Sequence, residues 1–188
     1  MRWDALFEDL AGQWNAESRR ELDAEVADRT RRERASVGLY ERLSAAGTDL
    51  LTVTLRSGDV VRGRVADVGD GWLLLASHPG APPAGASSGA ALVPFAAVTA
   101  LTGLSSRAGG TTLGRRFGLG YALRGLSRDR ATVLLTDLTG AVVTGTIDAV
   151  GRDVLELSQH AADLPRRPEN VTGRRLVPFA AVVLLRPA

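Results

Sequence analysis

The sequence contains no cysteine, no lysine and only two histidines in 188 residues. Without cysteine there is no disulfide and no thiolate metal site. No apolar run approaches the ~20 residues that span a bilayer, so no membrane-crossing helix is expected. No glycine-rich loop is followed by lysine, which excludes a phosphate-binding P-loop. The opening residues, MRWDALFEDL, are acidic and amphipathic rather than a basic, apolar leader, and a cytoplasmic address is expected. Aromatic residues make up only 5% of the chain, so platforms for base stacking are scarce.

The lack of lysine also governs the charge. All 23 basic residues are arginine, set against 21 acids, for a formal net charge of +2. Arginine titrates so high that this small excess suffices for a pI of 9.9. The pI alone therefore does not mark a nucleic-acid binder, and the distribution of charge is more informative. Residues 103–130 hold Arg107, Arg115, Arg116, Arg124, Arg128 and Arg130 against the single acid Asp129. Arg166, Arg167, Arg174 and Arg175 add to this further on.

What the chain does have is an internal repeat. Leu92 to Val98 reads LVPFAAV, and Leu176 to Val182 reads LVPFAAV again. Upstream, VVRG from Val60 matches VVTG from Val142, each ahead of an alternating run that ends at Leu73–Leu75 or Leu155–Leu157. Gly38, Leu39 and Leu43 are echoed by Gly118, Leu119 and Leu123. Period-two alternation broken by Gly-containing turns predicts five short strands per copy. The first hairpin loop is read as two residues longer in the second copy. The expected fold is α+β, mainly β: two tandem five-stranded small barrels, each with an N-terminal helix, preceded by a long amphipathic helix. The expected boundaries are 1–33 for that helix, 34–102 for the first unit, 103–113 for a linker and 114–188 for the second unit.

The stretches LTVTLRSGDVVRGRVADVGDGWLLL with LVPFAAVTAL, and VLLTDLTGAVVTGTIDAVGRDVLEL with LVPFAAVVLL, resemble the Sm-like family of Sm and LSm proteins and the bacterial RNA chaperone Hfq. The resemblance implies RNA binding and ring assembly through the edges of the fourth and fifth strands. It does not bring the family's uridine pocket with it. Where Sm proteins place an Asp and then an Asn, this chain has Gly69 and Leu73, and again Gly151 and Leu155. Where the bacterial chaperone has Lys-His, this chain has Pro94-Phe95 and Pro178-Phe179.

The remaining chemistry is carried by arginine, which grips phosphates in a fork and stacks on bases. Arg62, Arg64, Arg115, Arg116, Arg166, Arg167, Arg174 and Arg175 are the candidate contacts for single-stranded RNA, with solvated surface charge as the alternative. No catalytic residue, metal site, cofactor or small-molecule substrate is expected, and the chain is read as non-enzymatic. Gly85-x-Ser87-x-Gly89 fits a nucleophile-elbow pattern in letters only, since it lies in a Pro/Ala/Gly/Ser loop. His78 and His160 read as solvated loop residues just after the third strand of each copy. Trp3, Phe7, Leu10 and Trp14 form a stripe at helical spacing, which either packs on the body or docks a partner. The other functional reading is thus a protein-interaction scaffold. Self-association through barrel edges or through this helix is expected under both readings.

Overall fold

A computed structural model describes residues 2–77, 89–105, 107–109 and 113–188. The chain divides into Met1–Gly38 and Leu39–Ala188. The first unit is helix α1, Arg2–Ser36. Its described side chains are almost all exposed, including Trp14, Leu22 and Val26, so its expected amphipathic character is weak. Ion pairs one turn apart support it, with Arg32 reaching Asp28 at 2.6 Å and Arg29 reaching Glu33 at 3.3 Å. No described helix is long and apolar enough to cross a membrane.

Among its described residues the second unit carries ten strands. The first repeat contributes β1 (Leu50–Leu55), β2 (Val60–Gly69), β3 (Trp72–Ser77), β4 (Ala91–Pro94) and β5 (Val98–Thr102). The second contributes β6 (Thr132–Asp137), β7 (Val142–Val150), β8 (Val154–Gln159), β9 (Gly173–Pro178) and β10 (Val182–Pro187). Short helices α2 (Leu39–Ser44) and α3 (Leu119–Asp129) precede the repeats and bury Leu43 and Leu123 in their respective cores. Both are shorter than the expected 34–46 and 114–127 segments. Gly38 stands outside α2, and Gly118 is extended ahead of α3.

The expected pair of separate five-stranded barrels does not form. All ten strands belong to one open antiparallel sheet, ordered β5-β1-β2-β3-β4-β10-β6-β7-β8-β9. The reason lies in how each repeat pairs its strands. The last strand of each returns to the first, β5 to β1 and β10 to β6, leaving the fourth strand with a free edge. In the first repeat that edge is filled by β10, with Leu92 opposite Leu185. Alternation names the strands of such a sheet but not their neighbours.

The repeats also share their interiors. Val183 and Leu184 of β10 are buried in the core of the first repeat, among Leu51, Val53, Leu75 and Val93. Conversely, Leu92 and Trp72 of the first repeat are buried in the core of the second, among Leu135, Ile147, Leu157 and Leu185. Neither core is complete without strands from the other copy.

Two glycines are required at matching places. A Cβ on Gly63 would run into the Ala76 carbonyl oxygen, and one on Gly145 into the Ser158 carbonyl oxygen. Just beyond each, the pairing to the next strand shifts register, between Val65 and Asp67 and between Ile147 and Ala149. Such bulges bend a strand and re-aim one side chain. In the second repeat the side chain at that point is Asp148. The first hairpins are of equal length in the two repeats, contrary to the expected two-residue difference. Leu55 N–H bonds Asp59 O at 2.9 Å, and Asp137 N–H bonds Ala141 O at 3.0 Å.

Candidate functional site

The phrase LVPFAAV occurs twice but meets two environments. In β4 all four residues are buried, and Leu92 is 3% exposed. In β9, the edge of the sheet, Leu176 is 68% exposed, with Arg174, Arg175 and Pro178 exposed beside it. Beneath β9 opens a cleft of about 380 Å³ lined by Leu135, Val143, Leu157, Leu176, Val177 and Ala181, with Asp137 and Arg175 also on its wall. The corresponding region of the first repeat is occupied by Val183 and Leu184 of β10. The cleft is therefore the place where a neighbouring strand is missing.

The charged groups of the cleft are anchored. Asp137 Oδ1 accepts from the Thr139 hydroxyl at 2.6 Å, the Thr139 amide at 2.8 Å and the Ala141 amide at 3.2 Å. The Thr139 hydroxyl bond foremost, together with the two amide bonds, outweighs the opposing effect of burial and holds the carboxyl below its ordinary value. Arg175 Nε donates to Gln159 Oε1 at 3.2 Å.

On the other face, the loop between β8 and β9 is tied down by Arg166, whose Nη2 reaches Asp148 Oδ2 at 2.7 Å. The same oxygen accepts from the Ser158 hydroxyl. Burial alone would raise the Asp148 pKa, but the Arg166 and Ser158 hydrogen bonds outweigh it and the carboxyl lies below its ordinary value. Asp148 Oδ1 and Arg166 Nε are buried without hydrogen-bond partners.

His160 is 3% exposed, not the solvated residue expected. Its Nδ1 lies 2.8 Å from the Ala161 carbonyl oxygen and its Nε2 2.9 Å from the Thr146 hydroxyl. Its amide donates to the Thr144 carbonyl oxygen at 3.3 Å, so β7 holds both ring and backbone, which spacing in the sequence does not reveal. His78 and Ser87 lie outside the described residues. Among the described residues no three His, Asp or Glu side chains gather at metal-binding distance.

The candidate RNA contacts do not converge on one patch. Arg62 and Arg64 are exposed on β2, and six strands lie between it and β9 in the sheet. Arg174 and Arg175 are exposed on β9, opposite Ser158 and Leu157. Arg167 and Arg116 are exposed, whereas Arg166 is committed to Asp148. Arg115 lies in a 3₁₀ turn, its side chain outside those described. Of the helical stripe, Trp14 is 78% exposed, while the side chains of Trp3, Phe7 and Leu10 lie outside those described.

Sequence reasoning passed over two features. Phe117 and Tyr121 are both exposed, with ring centroids 4.3 Å apart, directly after Arg116. Their four-residue spacing, across the entry into α3, is the signal the sequence offers. The β9 cleft was signalled by Arg174-Arg175 standing where the first copy has Ala90-Ala91.

No family model, curated protein or solved structure matches the chain.

Proposed function

We propose that the chain is a cytoplasmic, non-enzymatic interaction scaffold of the Sm-like type, which self-associates through the edges of its sheet. The observation that carries this reading is the pairing of β4 with β10, the fourth strand of one repeat with the fifth of the other. It is the kind of joint that the resemblance implies between ring subunits. The same two edge types recur unpaired at the ends of the sheet, as β9 and β5. Unpaired strand edges template further pairing, and the exposed Leu176 with its cleft adds apolar surface to the β9 edge. A joint that forms once within a chain can form again between chains, and an operator of this head-to-tail kind builds rings or open chains. Sedimentation velocity of the full chain over a wide concentration range tests the reading. Species larger than the monomer, growing with concentration, are expected; a monomer at every concentration refutes it.

A second reading, single-stranded RNA binding, is favoured by the exposed, mutually tilted Phe117–Tyr121 ring pair beside Arg116 and by exposed Arg167, Arg174 and Arg175. Aromatic faces next to arginine suit unstacked bases and their phosphates. Fluorescence anisotropy with labelled RNA and DNA of matched sequence, at low and physiological salt, tests it. Arg174→Ala with Arg175→Ala is expected to weaken binding and flatten its salt dependence. Equal affinity for the two polymers, or binding that vanishes with salt, counts against an RNA site.

A further inference from the structure

The cleft beside β9 has a filled counterpart in the first repeat, and the two differ at the wall. Register of the repeat sets Leu135, Val143, Leu157 and Val177 against Val53, Val61, Leu75 and Val93, so the apolar floor is kept. Two lining positions change character. Arg175 stands where the first repeat has Ala91, and Asp137 stands where it has Leu55, both buried there. Each change introduces a charge, and the two charges are of opposite sign. Each charge is anchored by part of its functional group only. All three hydrogen bonds to Asp137 arrive at Oδ1, so among the described residues Oδ2 has no donor. Arg175 is held through Nε on Gln159, and among the described residues its Nη groups have no hydrogen bond and no ion pair, with Asp137 or any other acid.

We propose that the β9 cleft binds a small apolar zwitterion, an amino acid or dipeptide with a leucine-like side chain. Its ammonium meets Asp137 Oδ2, its carboxylate meets the Arg175 guanidinium, and its side chain lies over the apolar floor. Such a site is independent of the scaffold reading, since it needs no second copy of the chain. The volume of about 380 Å³ suits it, since small-molecule sites run from about 300 to 1,000 Å³ and pair an apolar lining with a few placed polar groups. The wall chemistry selects the ligand. A wholly apolar occupant would strip water from both charges and return no partner to either. A plain anion would meet Asp137 and a plain cation would meet Arg175. A zwitterion satisfies both, through charge-assisted hydrogen bonds that are stronger than neutral ones.

Saturation-transfer NMR titrations of the full-length protein with leucine and with leucyl-leucine test this. At least one of them is expected to bind saturably, and the tighter of the two tells a free amino acid from a peptide. Isocaproate lacks the ammonium and isoamylamine lacks the carboxylate, and each is expected to bind about tenfold more weakly than that zwitterion. Two variants, their folding checked by circular dichroism, locate the site. Arg175→Ala installs the first-repeat residue at an exposed position, and Asp137→Asn removes the charge while keeping an acceptor for Thr139 and Ala141. Each is expected to weaken the zwitterion by about tenfold, and Asp137→Asn to leave isocaproate no weaker than before. Absence of saturable binding by both zwitterions overturns the proposal. So does binding that Arg175→Ala leaves unchanged, or analogues that bind as tightly as the zwitterion.

Discussion

Leu92 and Leu176 are the same residue of one repeated phrase, yet truncating them should have very different costs. Leu92 is 3% exposed and sits in a closed core, whereas Leu176 is 68% exposed over an open cleft. Leu→Ala removes three carbons, worth about 2.4 kcal/mol when fully buried at ~0.8 kcal/mol each. At Leu92 nearly all of this is lost, and the residual cavity raises the cost to about 3 kcal/mol. At Leu176 only the buried third of the transfer energy is at stake, about 0.8 kcal/mol, and no closed cavity remains. Urea unfolding of dilute protein, followed by far-ultraviolet circular dichroism, separates the two. With a slope of about 2 kcal/mol per molar urea, the Leu92→Ala midpoint should fall by about 1.5 M and the Leu176→Ala midpoint by less than about 0.5 M. Equal shifts in dilute protein would refute the reasoning, since β9 would then have to be covered in the isolated chain. A shift for Leu176→Ala that grows with protein concentration would instead show the edge being covered by association.

Asp148→Asn should destabilise by about 2 kcal/mol, because Arg166 keeps its partly buried position and loses its charge partner. The Asp148 carboxyl lies below its unfolded value, so its contribution is fully present above about pH 4 and is lost as pH falls through the folded-state pKa. Wild type and Asp148→Asn should therefore converge in melting temperature on acidification; a constant gap would count against the pair. Gly145→Ala should cost more than about 2 kcal/mol, or prevent folding, since its Cβ has no room against the Ser158 carbonyl. Gly125→Ala in α3, with nothing within 4 Å of its Cβ, should be neutral or stabilise by up to about 1 kcal/mol. Thermal melts rank the two glycines, and the reverse order would contradict the packing around β7 and β8.

The repeat, the strand positions and the bent second strand could be read from the residues. VVRG and VVTG carry the glycines whose Cβ positions are closed by the neighbouring strand. Which strand neighbours which could not be read. Leu92 and Leu176 are followed by the same six residues, and the local sign that one edge is filled and the other open is Ala90-Ala91 against Arg174-Arg175. The strands that would cover them differ as Val183 and Leu184 against Thr99 and Ala100, which looks like ordinary drift until the sheet order is known. Arg166 was read as a phosphate contact because its partner, Asp148, is 18 residues earlier and is aimed by a bulge. His160 opens a stretch rich in Pro and charge, and nothing in that stretch indicates that its ring is held by Thr146 on β7. Exposure is a tertiary property, and a loop sequence does not state it.

The sharing of β10 has a consequence for how the protein is made. The first repeat emerges from the ribosome with its own five strands, but two of its core side chains, Val183 and Leu184, are translated only near the end of this sequence. Domains usually fold in the order they are synthesised. Here the early half must wait, with Leu51, Val53, Leu75 and Val93 incompletely covered, until the late half arrives. A stalled or shortened chain lacking β10 would leave both halves unfinished, so the two repeats gain their full cores together, once β10 has been made.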